Sequence, residues 1–175
     1  MNLLEKEVFF FTTFGGEALS LAAAKATIEF MKTNNVQEYL ALQGKKLKEG
    51  YNHIALHHDM GYTRCSGFNF RSIVSFNSSA GDPLELKSLV QQELIKRGIL
   101  WSGFHNMSYS HSDADIEYTL SAYEEILPIL KKAVDEKNVR KYLMGKPVEP
   151  VFRKVENFNM KPRKKPVKVF DDYKS

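Results

Sequence analysis

Thr12-Thr13-Phe14-Gly15-Gly16-Glu17 stands between the apolar run Val8-Phe9-Phe10-Phe11 and a long alanine-rich stretch. It reads as a strand, a glycine turn and the start of a helix. That junction suits an anion. The first amides of a helix have no intrahelical partner, and the helix dipole adds positive potential there. Glycines let the main chain approach an oxyanion closely, and a threonine hydroxyl donates to it. Thr13, with Thr12 and the Gly15 and Gly16 backbone, is therefore a candidate phosphate-binding set. The same spacing also fits a plain N-cap at Thr13 followed by a turn.

Beyond this junction, residues 17–33 place Leu19, Ala22, Ala23, Ala26 and Phe30 on one helical face, and Asn34-Asn35 stop the helix. From Val36 to about His57 an apolar stripe of Tyr39, Leu40, Leu47, Tyr51 and Ile54 predicts a second helix, which Gly44 and Gly50 weaken and invite to divide. After Asp59-Met60-Gly61-Tyr62 the period changes to two. Phe68, Phe70, Val74 and Phe76 fall on one face of a strand, with Asn69, Arg71 and Ser75 on the other. Asp82-Pro83-Leu84-Glu85 gives an N-cap, a proline at the first helical position and an early acid. A helix is expected from Pro83, with Leu86, Leu89, Val90 and Leu94 inward, ending at Arg97-Gly98. Short strands are expected at 99–102 and 106–109, then a helix opened by a Ser112/Asp115 capping box. That helix carries Ile116, Leu120, Tyr123, Leu127, Leu130 and Val134, with Pro128 as a potential kink. Arg140 to Gly145 reads as a short helical turn. These elements predict an α+β fold, a small, mainly antiparallel sheet covered by helices on one face.

Composition sets the class. The chain has 175 residues, 43% of them hydrophobic, enough for one ordinary core. No stretch approaches the roughly 18 to 20 apolar residues needed to cross a bilayer. Cys65 is the only cysteine, so no internal disulfide forms, and the acidic start lacks the basic region of a secretory signal; a cytoplasmic setting is expected. Charge is concentrated at the end. Residues 151–175 carry eight Lys+Arg against three acids, a net +5, which leaves −1 for the rest of a chain whose total is +4. The prolines and scattered apolar residues of this tail favour a packed extended arm, or a mobile terminus, over a nucleic-acid site, which neither a zinc-finger ligand spacing nor an RNA-binding aromatic signature supports. His53 and His57 share a helical face at i and i+4, but Ile54 stands where a metalloprotease would need its glutamate, and no metal is expected. His111, Asp113 and Asp115 read as a helix cap rather than an acid–base group.

Thr12 to Leu19 followed by an Ala-rich helix resembles the corresponding segment of class III, fold-type I pyridoxal-phosphate aminotransferases, a family that includes glutamate-1-semialdehyde aminomutase. Gly98-Ile99-Leu100-Trp101, Ser110-His111-Ser112-Asp113-Ala114-Asp115-Ile116 and Thr119-Leu120 resemble the family's closing strand, turn and helix. With Gly145 to Arg153, the likeness covers roughly residues 8 to 153. It implies the small C-terminal domain of such an enzyme: 1–16 as the end of the large domain and the phosphate junction, 17–137 as the α+β domain, and 138–175 as a basic extension.

The resemblance also implies pyridoxal phosphate as cofactor, an obligate homodimer, and amino transfer between a small-molecule amine and a carbonyl compound. Thr13, Thr12, Gly15 and Gly16 would contact the cofactor phosphate, and His105 and Asn106 fall where the family places substrate-side groups. The family's Schiff-base lysine lies a few tens of residues before the Thr-Gly-Gly segment. Lys6 is only seven residues from Thr13 and does not match it, so the chain is expected to be a C-terminal segment without transaminase activity of its own. Glu17-Ala18 departs from the family's common Asn-Pro. Two other readings stay open, an autonomous protein-binding module and a basic-tailed nucleic-acid-binding protein.

Overall fold

The structure, a computed structural model, describes Thr13 and residues 15–149. The expected strand at Val8–Phe11, Thr12 and the basic tail lie outside the described residues. The elements in chain order are α1 (Ala18–Thr33), α2 (Val36–His57), β1 (Thr63–Phe68), β2 (Arg71–Phe76), a 3-10 turn (Ser78–Ala80), α3 (Pro83–Lys96), β3 (Phe104–Asn106), α4 (Asp113–Asp135) and a second 3-10 turn (Val139–Tyr142). The strands form one antiparallel sheet in the order β1-β2-β3. Helices α2, α3 and α4 cover one of its faces, the α+β arrangement expected from the sequence.

The helix punctuation acts as read. Asp82 accepts a hydrogen bond from the Leu84 amide at 2.8 Å, and Pro83 opens α3. Ser112 and Asp115 form a reciprocal capping box: the Ser112 amide donates to Asp115 at 2.8 Å, and the Asp115 amide to Ser112 Oγ at 3.3 Å. Leu86, Leu89, Val90 and Leu94 of α3 are fully buried against Tyr123, Ile126, Leu127 and Leu130 of α4 in one apolar cluster. Pro128 is accommodated within α4.

Four features differ from expectation. α2 runs unbroken through both glycines, because each meets a neighbour where a Cβ would sit. At Gly44 that neighbour is the Asn69 carbonyl at the hairpin tip, and at Gly50 it is the Leu120 side chain. The glycines make room for packing and do not divide the helix. The period-two segment spans the reversal of a hairpin, from the end of β1 through all of β2. Thr63 pairs with Phe76 and Phe68 with Arg71, so the chain reverses at Asn69-Phe70. Phe68 and Phe70 therefore stack on each other at the tip, 5.4 Å apart, while Ser72 and Val74 turn inward and Ile73 turns outward. The strands expected at 99–102 and 106–109 are replaced by β3 alone, with Trp101 buried just before it.

α1 is the fourth difference. It forms where periodicity places it, yet none of its residues is buried, and Leu19 and Phe30 remain 77% and 47% exposed. Its alanine face finds no partner among the described residues. Phe30 touches the domain edge-on through Tyr109, and Tyr109 in turn meets Tyr39. At the other end, Val139 is buried, and residues 142–148 fasten to α3. Gln92 donates to the Tyr142 carbonyl and accepts from the Met144 amide, and the Val148 amide donates to Ser88 Oγ.

Replacing Gly44 by alanine forces the Asn69 turn away from α2 and is expected to cost about 1–3 kcal/mol, as overpacking of a dense contact does. Urea unfolding of Gly44→Ala beside the parent chain measures this, and Gly16→Ala, where a Cβ meets nothing within 4 Å, serves as the comparison.

Candidate functional site

The glycine junction is open surface. Thr13, Gly15 and Gly16 are exposed, and Gly15-Gly16 form a turn leading into Glu17. Glu17, not Thr13, caps α1: its carboxylate accepts from the Leu19 amide at 2.8 Å, the Ser20 amide at 2.7 Å and Ser20 Oγ at 2.6 Å. The Ser20 hydroxyl first, then the two amides, holds this carboxyl below its ordinary range. The protein's own anion thus occupies the electropositive end of α1. Donors left for an external phosphate are the Thr13 hydroxyl and the Gly15 and Gly16 amides, approachable because nothing crowds Gly16. These groups have the donor chemistry that a phosphate takes; no described residue closes over them.

His105 and Asn106 are neighbours in β3 and so face opposite ways. Asn106 lies on the exposed side, paired with Arg71, while His105 is buried on the helix-covered side. Both imidazole nitrogens of His105 are engaged. Nδ1 lies 3.1 Å from Ser72 Oγ and 3.7 Å from Cys65 Sγ, and Nε2 lies 2.8 Å from the Tyr123 hydroxyl. Burial pushes its pKa down to about 4 and pushes the Cys65 thiol up. His105 also forms part of the wall of a cavity of about 150 Å³ with Leu47, Trp101, Met107, Ile116 and Thr119. The buried Trp101 Nε1–H, whose residue lines this cavity, has no hydrogen-bond partner among the described residues. That volume is below the roughly 300–1,000 Å³ of a complete ligand pocket. His111 and the nearby acids form no acid–base group: His111 Nδ1 accepts from the Ser108 amide, Asp115 caps α4, and Asp113 binds Gln43 and Lys46.

No protein-family model matches the sequence. Known proteins do. The chain is 32% identical over 134 residues to putrescine aminotransferase of Pectobacterium atrosepticum, a match covering 76% of this chain and 27% of that protein. It is 26% identical over 129 residues to glutamate-1-semialdehyde 2,1-aminomutase of Desulfitobacterium hafniense, covering 67% of this chain and 30% of that one. The chain is related to the class III pyridoxal-phosphate aminotransferases. The fold agrees: the pyridoxal-phosphate internal aldimine form of the Sphingopyxis FumI protein superposes with a TM-score of 0.63 at 20% identity, over 78% of this chain and 33% of that one. The chain spans less than a third of the length of these two class III relatives. Among its described residues, no helix is long and apolar enough to cross a membrane.

His105 gives the domain a definite pH dependence. The folded pKa, about 4, lies below the ordinary 6.5, so the unfolded chain binds a proton that the folded chain refuses between these values. Stability contributed by neutral His105 is complete above about pH 6.5 and falls as pH drops toward 4, on the order of 3 kcal/mol in all. Urea unfolding across this range is expected to show that slope in the parent chain and a shallower one in His105→Gln.

Proposed function

We propose that this chain is the small-domain part of a longer class III enzyme that uses pyridoxal phosphate to move an amino group between an amine and a carbonyl compound in the cytoplasm. The observation that carries the reading is the 32% identity to putrescine aminotransferase across three-quarters of the chain. The FumI-like fold, with its helix-covered antiparallel sheet, agrees with it.

Within that enzyme the Thr13 hydroxyl and the Gly15 and Gly16 amides, with Thr12 beside them, bind the cofactor phosphate of the neighbouring subunit in a homodimer. Their exposure supports this, because no described residue of their own chain competes for them, and the unburied apolar side of α1 supports a second subunit. Glu17 does not join them. Its carboxylate would repel a phosphate and stays on its own helix, which holds the junction in shape while the hydroxyl and amides do the binding. When bound, pyridoxal phosphate supplies the electron sink for chemistry at the carbon bearing the amino group. The Schiff-base lysine belongs to sequence that precedes Thr13 in the longer protein. Asn106, on the open side of β3, is the substrate-side group. Its neighbour His105, bonded on both nitrogens, positions the strand and moves no proton.

A neutral hydroxyl donating to a phosphate dianion makes a charge-assisted bond contributing on the order of 1.5–3 kcal/mol. In the full-length enzyme, Thr13→Ala is therefore expected to weaken cofactor retention by about tenfold or more. Absorbance titration of apoenzyme with pyridoxal phosphate measures this, and unchanged affinity would remove the role. The 175-residue chain alone, mixed with the cofactor, an amine and a keto acid, is expected to show turnover no higher than a protein-free blank.

A further inference from the structure

α2 ends at His57, and His58 follows as its C-terminal cap. Asp59 then adopts a left-handed conformation, φ 56°, which turns the chain away from the helix axis. Two adjacent imidazoles are thereby presented to one residue of α4: His58 Nε2 lies 3.0 Å from Glu124 Oε1, and His57 Nδ1 lies 3.7 Å from the same oxygen. One ligand atom from each of the three residues falls within a sphere of mutual separation no larger than 4.8 Å. The Lys131 ammonium donates to the His58 carbonyl at 2.7 Å and so anchors the backbone beneath the pair.

We propose that His57, His58 and Glu124 form a binding site for a divalent transition-metal cation that fastens the end of α2 to the middle of α4. The geometry is close to what an ion requires. Ligands about 2.0–2.1 Å from a tetrahedral zinc ion lie about 3.4 Å from one another. Both histidine–glutamate edges, 3.0 and 3.7 Å, are already near that value, and small side-chain rotations bring the two imidazoles together. Two imidazole nitrogens and one carboxylate oxygen select a borderline metal such as zinc, nickel or copper over calcium or magnesium, which prefer all-oxygen shells. Three protein ligands leave a fourth position for water. The His57 and Glu124 side chains are 67% and 49% exposed, so an ion enters from solvent without any opening of the core. The site is independent of the glycine junction and of any cofactor.

Calorimetric titration of the full chain with zinc chloride at neutral pH tests this. One zinc ion per chain is expected, with the thermal midpoint rising as zinc is added. Glu124→Gln, at an exposed position, and His58→Ala, at a half-buried one, are each expected to weaken the affinity tenfold or more and to abolish the zinc-dependent rise, with circular dichroism verifying that they remain folded. His53→Ala, one helical turn earlier and outside the trio, is expected to leave both readouts unchanged. Absence of zinc uptake at millimolar metal, or equal affinity in Glu124→Gln, would overturn the assignment. Loss of binding in His53→Ala alone would do so as well.

Discussion

The domain depends on a buried chain of polar contacts that crosses every layer of it. Tyr51 of α2 and Tyr123 of α4 meet edge to face at 4.8 Å, and from that contact the polar groups fan out into all three strands. The Tyr51 hydroxyl pairs with Thr63 of β1, and the Tyr123 hydroxyl pairs with His105 of β3, whose other nitrogen faces Ser72 of β2. Burial raises both tyrosine pKa values, so neither ring ionises, and all of these groups stay neutral at ordinary pH. A network of this kind stabilises only when every member is satisfied, since each unpaired buried group in a low-dielectric interior costs about 1–3 kcal/mol. It therefore fixes the register of the sheet against the helices more sharply than the surrounding leucines, which would tolerate a slip.

Such a network sits in the sequence as scattered residues with no period. Tyr51 and Tyr123 are visible as members of apolar stripes, but nothing local joins Tyr123 to a histidine eighteen positions earlier. Helix ends were legible for the opposite reason: Asp82-Pro83 and Ser112 with Asp115 act on backbone within three residues, so their chemistry is complete in a short window. The hairpin escaped because Phe68 and Phe70 continue the alternation of the strand across a reversal at Asn69-Phe70. Gly44 and Gly50 read as breaks because the groups that require them, the Asn69 carbonyl and Leu120, are distant in sequence.

The candidate site divides along the same line. A glycine junction beside a helix start was visible as an anion site, and its donors are present on the surface. The sequence did not reveal which anion would take the helix end. Glu17, standing where the family commonly has asparagine, supplies that charge from within the chain, leaving the hydroxyl and glycine amides as the remaining donors. Glu124 was invisible beside the histidines for a simpler reason: it lies 66 residues from His58, on another helix. Contacts made through the fold carry no local signal, whatever their chemistry.

The outer side of the sheet has a practical consequence. Phe68, Phe70 and Ile73 are at least half exposed there, Phe104 is 37% exposed, and Arg71 lies over the Phe104 ring at 5.7 Å. Large apolar groups gathered beside β1, which among the described residues pairs on one side only, form a surface that favours self-association in water. Purified on its own, the polypeptide is thus best kept dilute and in low concentrations of salting-out ions, because conditions that strengthen apolar burial act first on this greasy sheet face.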